Sequence, residues 1–155
     1  MKQTENRTII MKIINKEDFE KINIFGTGKP NDAFAQYFTG NSFLNPLTGS
    51  NCSLHVSNVT FEPSCRNNWH IHHAAKNGGQ LLICTAGEGW YQEEGKKAVS
   101  LTPGKVIMIP ANVKHWHGAK KDSWFSHIAI AVPGEGCSNE WLEAVSDEEY
   151  AKLPH

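Results

Sequence analysis

Short β-type runs separated by turn-forming residues cover most of this chain and limit what it can fold into. Many of the runs are rich in β-branched and aromatic residues, glycine, proline and asparagine punctuate the chain between them, and the runs span 35–38, 51–62, 68–73, 80–86, 89–93, 98–101, 106–109, 114–118 and 123–132. Such runs are typical of an all-β sandwich or barrel, whereas alternation with long helices would indicate a parallel sheet. The chain of 155 residues suits one domain with a sizeable core. We therefore predict a single all-β domain.

Short helical segments are predicted at the two ends of this domain. Asn15 is a capping residue followed by acidic residues, which is typical of a helix start. Ser146 and Glu149 have the spacing of a capping box and predict a last helical turn or two. Residues 1–10 have the composition of a polar leader, so we expect the domain to occupy residues 11–155.

Charge and hydropathy argue against two classes of partner. The net charge is −1, and no basic run is longer than Lys120-Lys121, so we expect neither nucleic acid nor an anionic membrane as a partner. The N-terminus lacks the apolar run of a signal peptide, and no stretch approaches the ~20 apolar residues of a membrane-spanning helix. A cytoplasmic location is therefore expected.

His70 and His72 are separated by one residue within the run 68–73. Strand side chains alternate between faces, so these two imidazoles project to the same side while His73 projects to the other. Imidazole is the commonest protein ligand for metal ions. A His-x-His pair alone is weak evidence for a metal site, because paired histidines on strands are more often surface or packing residues.

Two further polar residues are candidates to complete a metal site. Gln80 opens the apolar run 80–86, and His115 follows an apolar run that ends at a proline turn. If these strands are neighbours, both side chains can meet His70 and His72 around one divalent ion. For Gln80 the alternative is a neutral strand residue in the core.

The spacing of these residues resembles that of the cupin superfamily. The first motif of that family joins His-x-His to a glutamate and a glycine, and the second joins a glycine, a proline and a histidine; the matching residues here are His70, His72, Gly87, Gly104, Pro110 and His115. Gln80 stands in the place of the glutamate. Asn112 replaces the inner glycine of the second motif, which a left-handed turn tolerates. The segment 73–79 before Gln80 is longer than is common in the family.

Within the superfamily, the chain is similar to small single-domain cupins of the manganese-dependent hydroxynitrile lyase type and to bacterial relatives linked with carboxymuconolactone decarboxylase domains. The similarity runs from about residue 34 to 152 and includes Arg66, Trp69, Trp90, His127 and Trp141. It implies a double-stranded β-helix, or jelly-roll barrel, over about residues 51–133. It also implies that His70, His72, Gln80 and His115 hold the metal, and that the strand face carrying His55, Ser57 and Val59 looks into the pocket.

Two more histidines share strand faces that can look into the same interior. His117 lies two residues after His115 and therefore on the same face. His127 shares a face with Ala129 and Ala131, whose small side chains leave room for a ligand; the alternative is that the opposite, more apolar face packs on another sheet or a partner chain. We predict His117 and His127 to be catalytic, the alternative being hydrogen-bonded structural histidines.

The ligand set predicts the kind of chemistry. Three neutral imidazoles and an amide leave the 2+ charge of a metal uncompensated, which favours anionic ligands such as an alkoxide, an enolate, a carboxylate or cyanide. His117 or His127, with a pKa near neutrality, would take or give the proton. We expect lyase or isomerase chemistry on a small oxygenated molecule, of which hydroxynitrile lyase activity is one case. The alternatives are an iron- or copper-dependent dioxygenase and a non-catalytic small-molecule or metal-binding module.

The expected cofactor is one divalent metal ion per chain. We expect manganese or iron, while zinc, nickel and copper also suit imidazole ligands. The expected partners are a small-molecule substrate and a second copy of the chain. The homodimer is implied by the resemblance and by the apolar residues Ile128 and Ile130, if these are exposed.

Overall fold

The structure is a computed structural model that describes residues 11–154. The predicted polar leader, residues 1–10, lies outside the described residues. The helices are α1, Lys16–Ile22, and α2, Asp147–Ala151, and a 3₁₀ helix spans Asp32–Tyr37. The strands are β1, Lys29–Pro30; β2, Phe38–Thr39; β3, Ser42–Pro46; β4, Val56–Phe61; β5, Arg66–Asn67; β6, His70–His73; β7, Lys76–Asn77; β8, Gln80–Gly87; β9, Gly89–Glu93; β10, Val99–Leu101; β11, Val106–Ile109; β12, His115–Ala119; β13, Phe125–Ala131; β14, Gly134–Glu135; and β15, Ser138–Trp141. The predicted all-β class with short terminal helices is confirmed.

Two antiparallel sheets make up the domain. The first has six strands in the order β1-β3-β4-β13-β8-β11. The second has the order β10-β9-β12-β5-β2, and β6 joins it through β12 and carries β15 on its other side. β7 and β14 form a separate two-stranded ribbon. Neither sheet closes on itself, and the pairing is consistent with a jelly roll.

Apolar side chains from both sheets fill one end of the space between them. The buried cluster draws on β4, β8, β11 and β13 of the first sheet and on β9, β10 and β12 of the second; its largest fully buried members are Phe61, Leu82, Leu101, Ile109 and Phe125. Burial of such side chains contributes roughly 1.5–3 kcal/mol each. This cluster fixes how the sheets face each other and leaves the opposite end of the sandwich open.

Both helices cover the outer faces of the sheets. Phe19 of α1 packs with Trp124 over the first sheet. Tyr150 of α2 packs with Trp69, Trp90 and Trp116 over the second. These four tryptophans are therefore packing residues. Within residues 11–154, neither helix is long and apolar enough to cross a membrane.

The helix starts agree with the capping residues in the sequence. The Asn15 side chain accepts the Asp18 N–H at 3.1 Å, so α1 begins at Lys16. Ser146 and Glu149 make both hydrogen bonds of the predicted capping box at the start of α2. The two predicted helix starts are therefore confirmed.

The predicted strand over 35–38 is wrong. Residues Asp32–Tyr37 form a 3₁₀ helix, whose first turn is closed by a hydrogen bond from the Phe34 N–H to the Asn31 carbonyl at 3.3 Å. Only Phe38 of the run belongs to a strand. The run lacks β-branched residues, so little in its local sequence opposes the turn.

The predicted strand over 51–62 is too long, because its first part is a hairpin connection. The Val56 N–H donates to Thr48 Oγ1 at 3.1 Å and the Val56 carbonyl accepts the Leu47 N–H at 2.8 Å, which closes the loop between β3 and β4. β3 itself was not predicted.

Ile128 on β13 had been expected as an exposed apolar residue that could form a dimer interface. It is only 9% exposed.

The turn before β12 adopts the conformation expected from the sequence. Asn112 has φ +68°, so the replacement of glycine by asparagine is tolerated as predicted. Its amide also binds the chain after β6: Nδ2 donates to the Ala74 carbonyl at 3.0 Å and Oδ1 accepts the Ala74 N–H at 3.1 Å. The long segment 73–79 includes β7, which pairs with β14. These contacts hold the end of β6 beside β12.

Candidate metal centre

Three histidines converge at the open end of the sandwich. His70 and His72 lie on β6, and the pairing of β6 with β12 sets His115 opposite His70. One ring nitrogen from each of the three lies within 4.8 Å of the others. His73 faces away from the group, and its Nε2 lies 3.1 Å from Glu140 Oε1. These three histidines can therefore hold a metal ion.

Hydrogen bonds fix the orientation of each of these rings. The Nδ1 atom of every ring lies within hydrogen-bond distance of an oxygen that can only accept; the pairs are His70 with the Asn68 carbonyl at 2.8 Å, His72 with Asn139 Oδ1 at 2.8 Å, and His115 with the Val113 carbonyl at 2.9 Å. Each Nδ1 therefore carries the hydrogen, and each Nε2 keeps its lone pair. Partners of this kind orient the histidines of metal sites and raise their basicity.

Several buried atoms at this centre lack a partner among residues 11–154. They are His72 Nε2, His115 Nε2 and Gln80 Oε1, all of which are acceptors. Leaving such atoms unpaired is costly, and a divalent cation held by the three histidines would satisfy His72 Nε2 and His115 Nε2. The residues present therefore fit a metal ion. Gln80 is the first residue of β8 and lines the same cavity as His70 and His72. Coordination of the metal by Gln80 as a fourth ligand stays a prediction.

Burial keeps His70 and His115 neutral. It lowers the pKa of His115 to about 4, and together with the neighbouring histidines it holds the pKa of His70 well below its ordinary value. A protonated imidazole cannot bind a metal, so this environment favours the state that coordinates a cation.

A cavity of about 260 Å³ opens beside the three histidines. Its polar wall includes residues from several strands, namely His55, Ser57, Asn67, His70, His72, Gln80, His117, His127 and Asn139. Its apolar wall includes Phe34, Phe38, Val59, Phe61, Ala129, Ala131 and Trp141. Within the described part of the chain, no Asp, Glu, Lys or Arg lines it. The cavity is slightly below the roughly 300–1,000 Å³ of drug-sized ligand sites, which suits a small molecule.

The structure places all the sequence-predicted pocket residues in this cavity wall. His55, Ser57 and Val59 lie on or next to β4 on one face, as expected. Ala129 and Ala131 line the cavity together with His127, which agrees with the interpretation in which small side chains leave room for a ligand. Contact of these residues with a substrate stays a prediction.

His117 and His127 form a pair next to the three-histidine group. His127 Nε2 lies 3.0 Å from His117 Nδ1, and both side chains are buried. The pKa near neutrality that we expected for them is wrong. Burial lowers the pKa of His127 to about 4, and burial together with neighbouring histidines holds the pKa of His117 well below its ordinary value. The pair is therefore neutral at neutral pH.

Three further residues shape the centre and had not been assigned to it from the sequence. Asn139 binds the His72 ring, Asn67 contacts the His117 ring, and Trp141 lies between Tyr37 and His70 with ring centroids 4.6 Å from each. Trp141 is in the region of family resemblance. For the two asparagines the sequence holds no signal, because their contacts join segments far apart in the chain.

The fold and this centre define a class of β-sandwich proteins with a histidine group that can hold a metal ion. A family model described as a cupin domain matches residues 57–130. The (R)-mandelonitrile lyase of Granulicella tundricola is 39% identical over 120 residues, which cover 76% of this chain and 88% of that protein. The chain belongs to the cupin superfamily.

Solved structures support the same assignment. A cupin-like protein from Thermotoga maritima superposes with a TM-score of 0.74 at 40% identity, over 84% of this chain and 96% of that one. The DMSP lyase DddQ from Ruegeria pomeroyi superposes with a TM-score of 0.55 at 18% identity, over 74% of this chain and 56% of that one. The second likeness concerns the fold alone.

Proposed function

We propose that this protein is a metal-dependent lyase that cleaves, and in reverse forms, the carbon–carbon bond between a hydroxyl-bearing carbon and cyanide in a small hydroxynitrile. The observation that carries the proposal is the three-histidine group, two of whose members, His70 and His72, line the same small cavity as the neutral pair of His117 and His127. The relative named (R)-mandelonitrile lyase supports the choice of reaction.

The metal would be held by His70, His72 and His115, with Gln80 as the fourth ligand and manganese or iron as the expected ion. Bound there, a divalent cation supplies Lewis acidity and a positive charge that neutral ligands leave uncompensated. The absence of a charged side chain from the described cavity wall keeps that charge available to an oxygen anion or a cyanide ion.

The reaction needs one proton to move and no redox partner. On cleavage, the hydroxyl O–H bond and the carbon–cyanide bond break, the carbonyl double bond forms, and cyanide leaves with its bonding electron pair. The proton lost by the hydroxyl balances the charge of the cyanide. His117 and His127 hold or move this proton, because they are neutral groups that can pass a proton between ring nitrogens 3.0 Å apart.

The aromatic part of the wall suits the rest of the substrate. Phe34, Phe38, Phe61 and Trp141 line the cavity together with its polar groups. An apolar or aryl substituent would pack against these rings while its hydroxyl and nitrile groups face the histidines. The cavity volume of about 260 Å³ limits the substrate to a small molecule.

The test is the cleavage of mandelonitrile by protein purified without a metal-affinity column. The absorbance of the aldehyde product measures the rate. We expect turnover that is lost with a chelator and recovered when manganese or iron is added back. His73→Ala is the matched control, because this histidine adjoins the site but faces Glu140. Turnover that survives complete metal removal would contradict the proposal.

The same samples separate the other two functions considered. Consumption of dioxygen with an iron- or copper-loaded sample would favour the dioxygenase. Metal binding without turnover of any hydroxynitrile would favour a non-catalytic binding module. The homodimer and the cytoplasmic location stay predictions, and sedimentation velocity measures the first of them.

A further inference from the structure

We propose that Asn67 is a positioning residue that sets the direction of the hydrogen bond between His117 and His127, and so fixes which ring nitrogens of the pair carry hydrogen. Asn67 is 2% exposed and lies on β5, beside β12. The inference rests on the proposed function and deepens it, since it states on which ring nitrogens the pair holds its hydrogens.

The orientation of the Asn67 amide follows from its other contact. Its Oδ1 accepts the backbone N–H of His117 at 2.9 Å, and an amide nitrogen cannot do so. The Nδ2 atom is therefore the one that faces the His117 ring. It lies 3.2 Å from His117 Nε2 and 3.4 Å from Nδ1.

This donor determines which ring nitrogen of His117 carries the hydrogen. A neutral imidazole has one N–H and one lone pair, and the nitrogen nearer to the Asn67 amino group, Nε2, is the one available to accept. The hydrogen is then on Nδ1, which donates to His127 Nε2 at 3.0 Å. If His127 were the donor instead, the hydrogen of His117 would be on Nε2. Its N–H would then face the Asn67 amino group, which is also a donor.

The direction continues into the second ring. Because His127 Nε2 accepts, the hydrogen of His127 is on Nδ1. This atom is buried and has no hydrogen-bond partner among the described residues, although His127 lines the cavity. The neighbouring rings of Phe61 and Phe125, whose centroids lie 5.3 and 5.6 Å from that of His127, offer no acceptor for a strong hydrogen bond. The contacts from Asn67 through His117 to His127 therefore fix the tautomer of both rings.

The test is the tautomer of each ring, measured by long-range ¹H–¹⁵N correlation on ¹⁵N-labelled, zinc-loaded protein. Protonated and bare imidazole nitrogens differ widely in their ¹⁵N shifts. We expect both His117 and His127 to carry the hydrogen on Nδ1, and Asn67→Asp to place a hydrogen on His117 Nε2, because a carboxylate can only accept. Asn139→Asp is the matched control, since Asn139 contacts His72 instead.

The wild-type spectrum alone decides the direction, even if Asn67→Asp fails to fold. A hydrogen on Nε2 of His117 in the wild-type protein would overturn the inference. So would an Asn67→Asp variant that is folded, as judged by circular dichroism, and keeps His117 Nε2 bare. If mandelonitrile is cleaved, turnover should fall about tenfold or more in Asn67→Asp. An inactive wild type with the expected tautomers would refute the proposed function and leave the role of Asn67 standing.

Discussion

The two groups of histidines in this cavity have different hydrogen-bond partners. His70, His72 and His115 each direct Nδ1 to an oxygen and leave Nε2 free. His117 and His127 instead direct ring nitrogens at each other. The first arrangement provides lone pairs for a cation, and the second holds a proton within the wall. Side chains of one type thus serve two purposes, which depend on the atoms that each ring contacts.

The largest effect is expected from removing a ligand. His115→Ala should reduce the metal content of the protein from about one ion per chain to nearly none, because the two remaining imidazoles make a much weaker site. Elemental analysis after dialysis against a weak chelator measures this. His73→Ala should keep its metal, because His73 faces away from the group. Equal loss of metal from both variants would contradict the assignment of His115, and not His73, as a ligand.

Removing a member of the pair should lower turnover without loss of metal. We expect His127→Phe to reduce the kcat for mandelonitrile by about 10²–10⁴-fold, the usual contribution of a positioned acid or base. Phenylalanine keeps the ring volume next to Phe61 and Phe125, so the fold should be preserved. Loss of metal from this variant would show that the histidine pair is not separate from the metal ligands. Full turnover would show that His127 does not hold or move the proton.

A smaller effect is expected from the partner of His72. Asn139→Ala removes the acceptor for His72 Nδ1 and should weaken metal binding about 10–100-fold, as is usual for residues that orient metal ligands. Asn139→Asp keeps an acceptor at this position and should bind metal nearly as well as the wild type. Competition with a fluorescent chelator gives both affinities; identical values for the alanine and aspartate variants would refute the orienting role.

The smallest effect is a pH dependence of stability in the metal-free protein. His127 has a pKa of about 4 in the folded chain and an ordinary value of 6.5, so between these values the unfolded chain binds more protons. The free energy of unfolding should therefore fall as the pH decreases from 6.5 towards 4. The contribution of one such histidine is at most about 1.4 kcal/mol per pH unit.

Urea unfolding of wild type and His127→Phe at several pH values measures this contribution. The variant should show a shallower loss of stability in acid, while His70, His115 and His117 keep the remaining dependence. Equal slopes for the two proteins would mean that His127 is not a buried neutral group.

Much of the fold and the three-histidine group could be predicted from local patterns. Residue alternation along strands placed His70 and His72 on one face, and the turn at Asn112 was predictable from its glycine-like position. The strand β15, which carries Asn139 and Trp141, was missed because its sequence lacks the alternating apolar pattern of a half-buried strand. Its pairing with β6 is a contact between distant segments, and nothing local specifies it.

The lowered pKa values of His117 and His127 could also not be predicted from the sequence. Strand faces placed His117 and His127 in the interior, but the pKa of each depends on how completely both sheets cover it. Asn67, which contacts the His117 ring, lies fifty residues earlier on another strand. Such a hydrogen bond is determined only when the two sheets have assembled.

The central claim is that the Nε2 atoms of His70, His72 and His115 hold a divalent metal ion. Its most direct test is the metal content of wild-type protein purified without a metal-affinity column, together with a titration of the stripped protein. We expect about one ion per chain and recovery of one equivalent on titration. A folded protein that contains no metal and takes up none from added manganese, iron or zinc would contradict it.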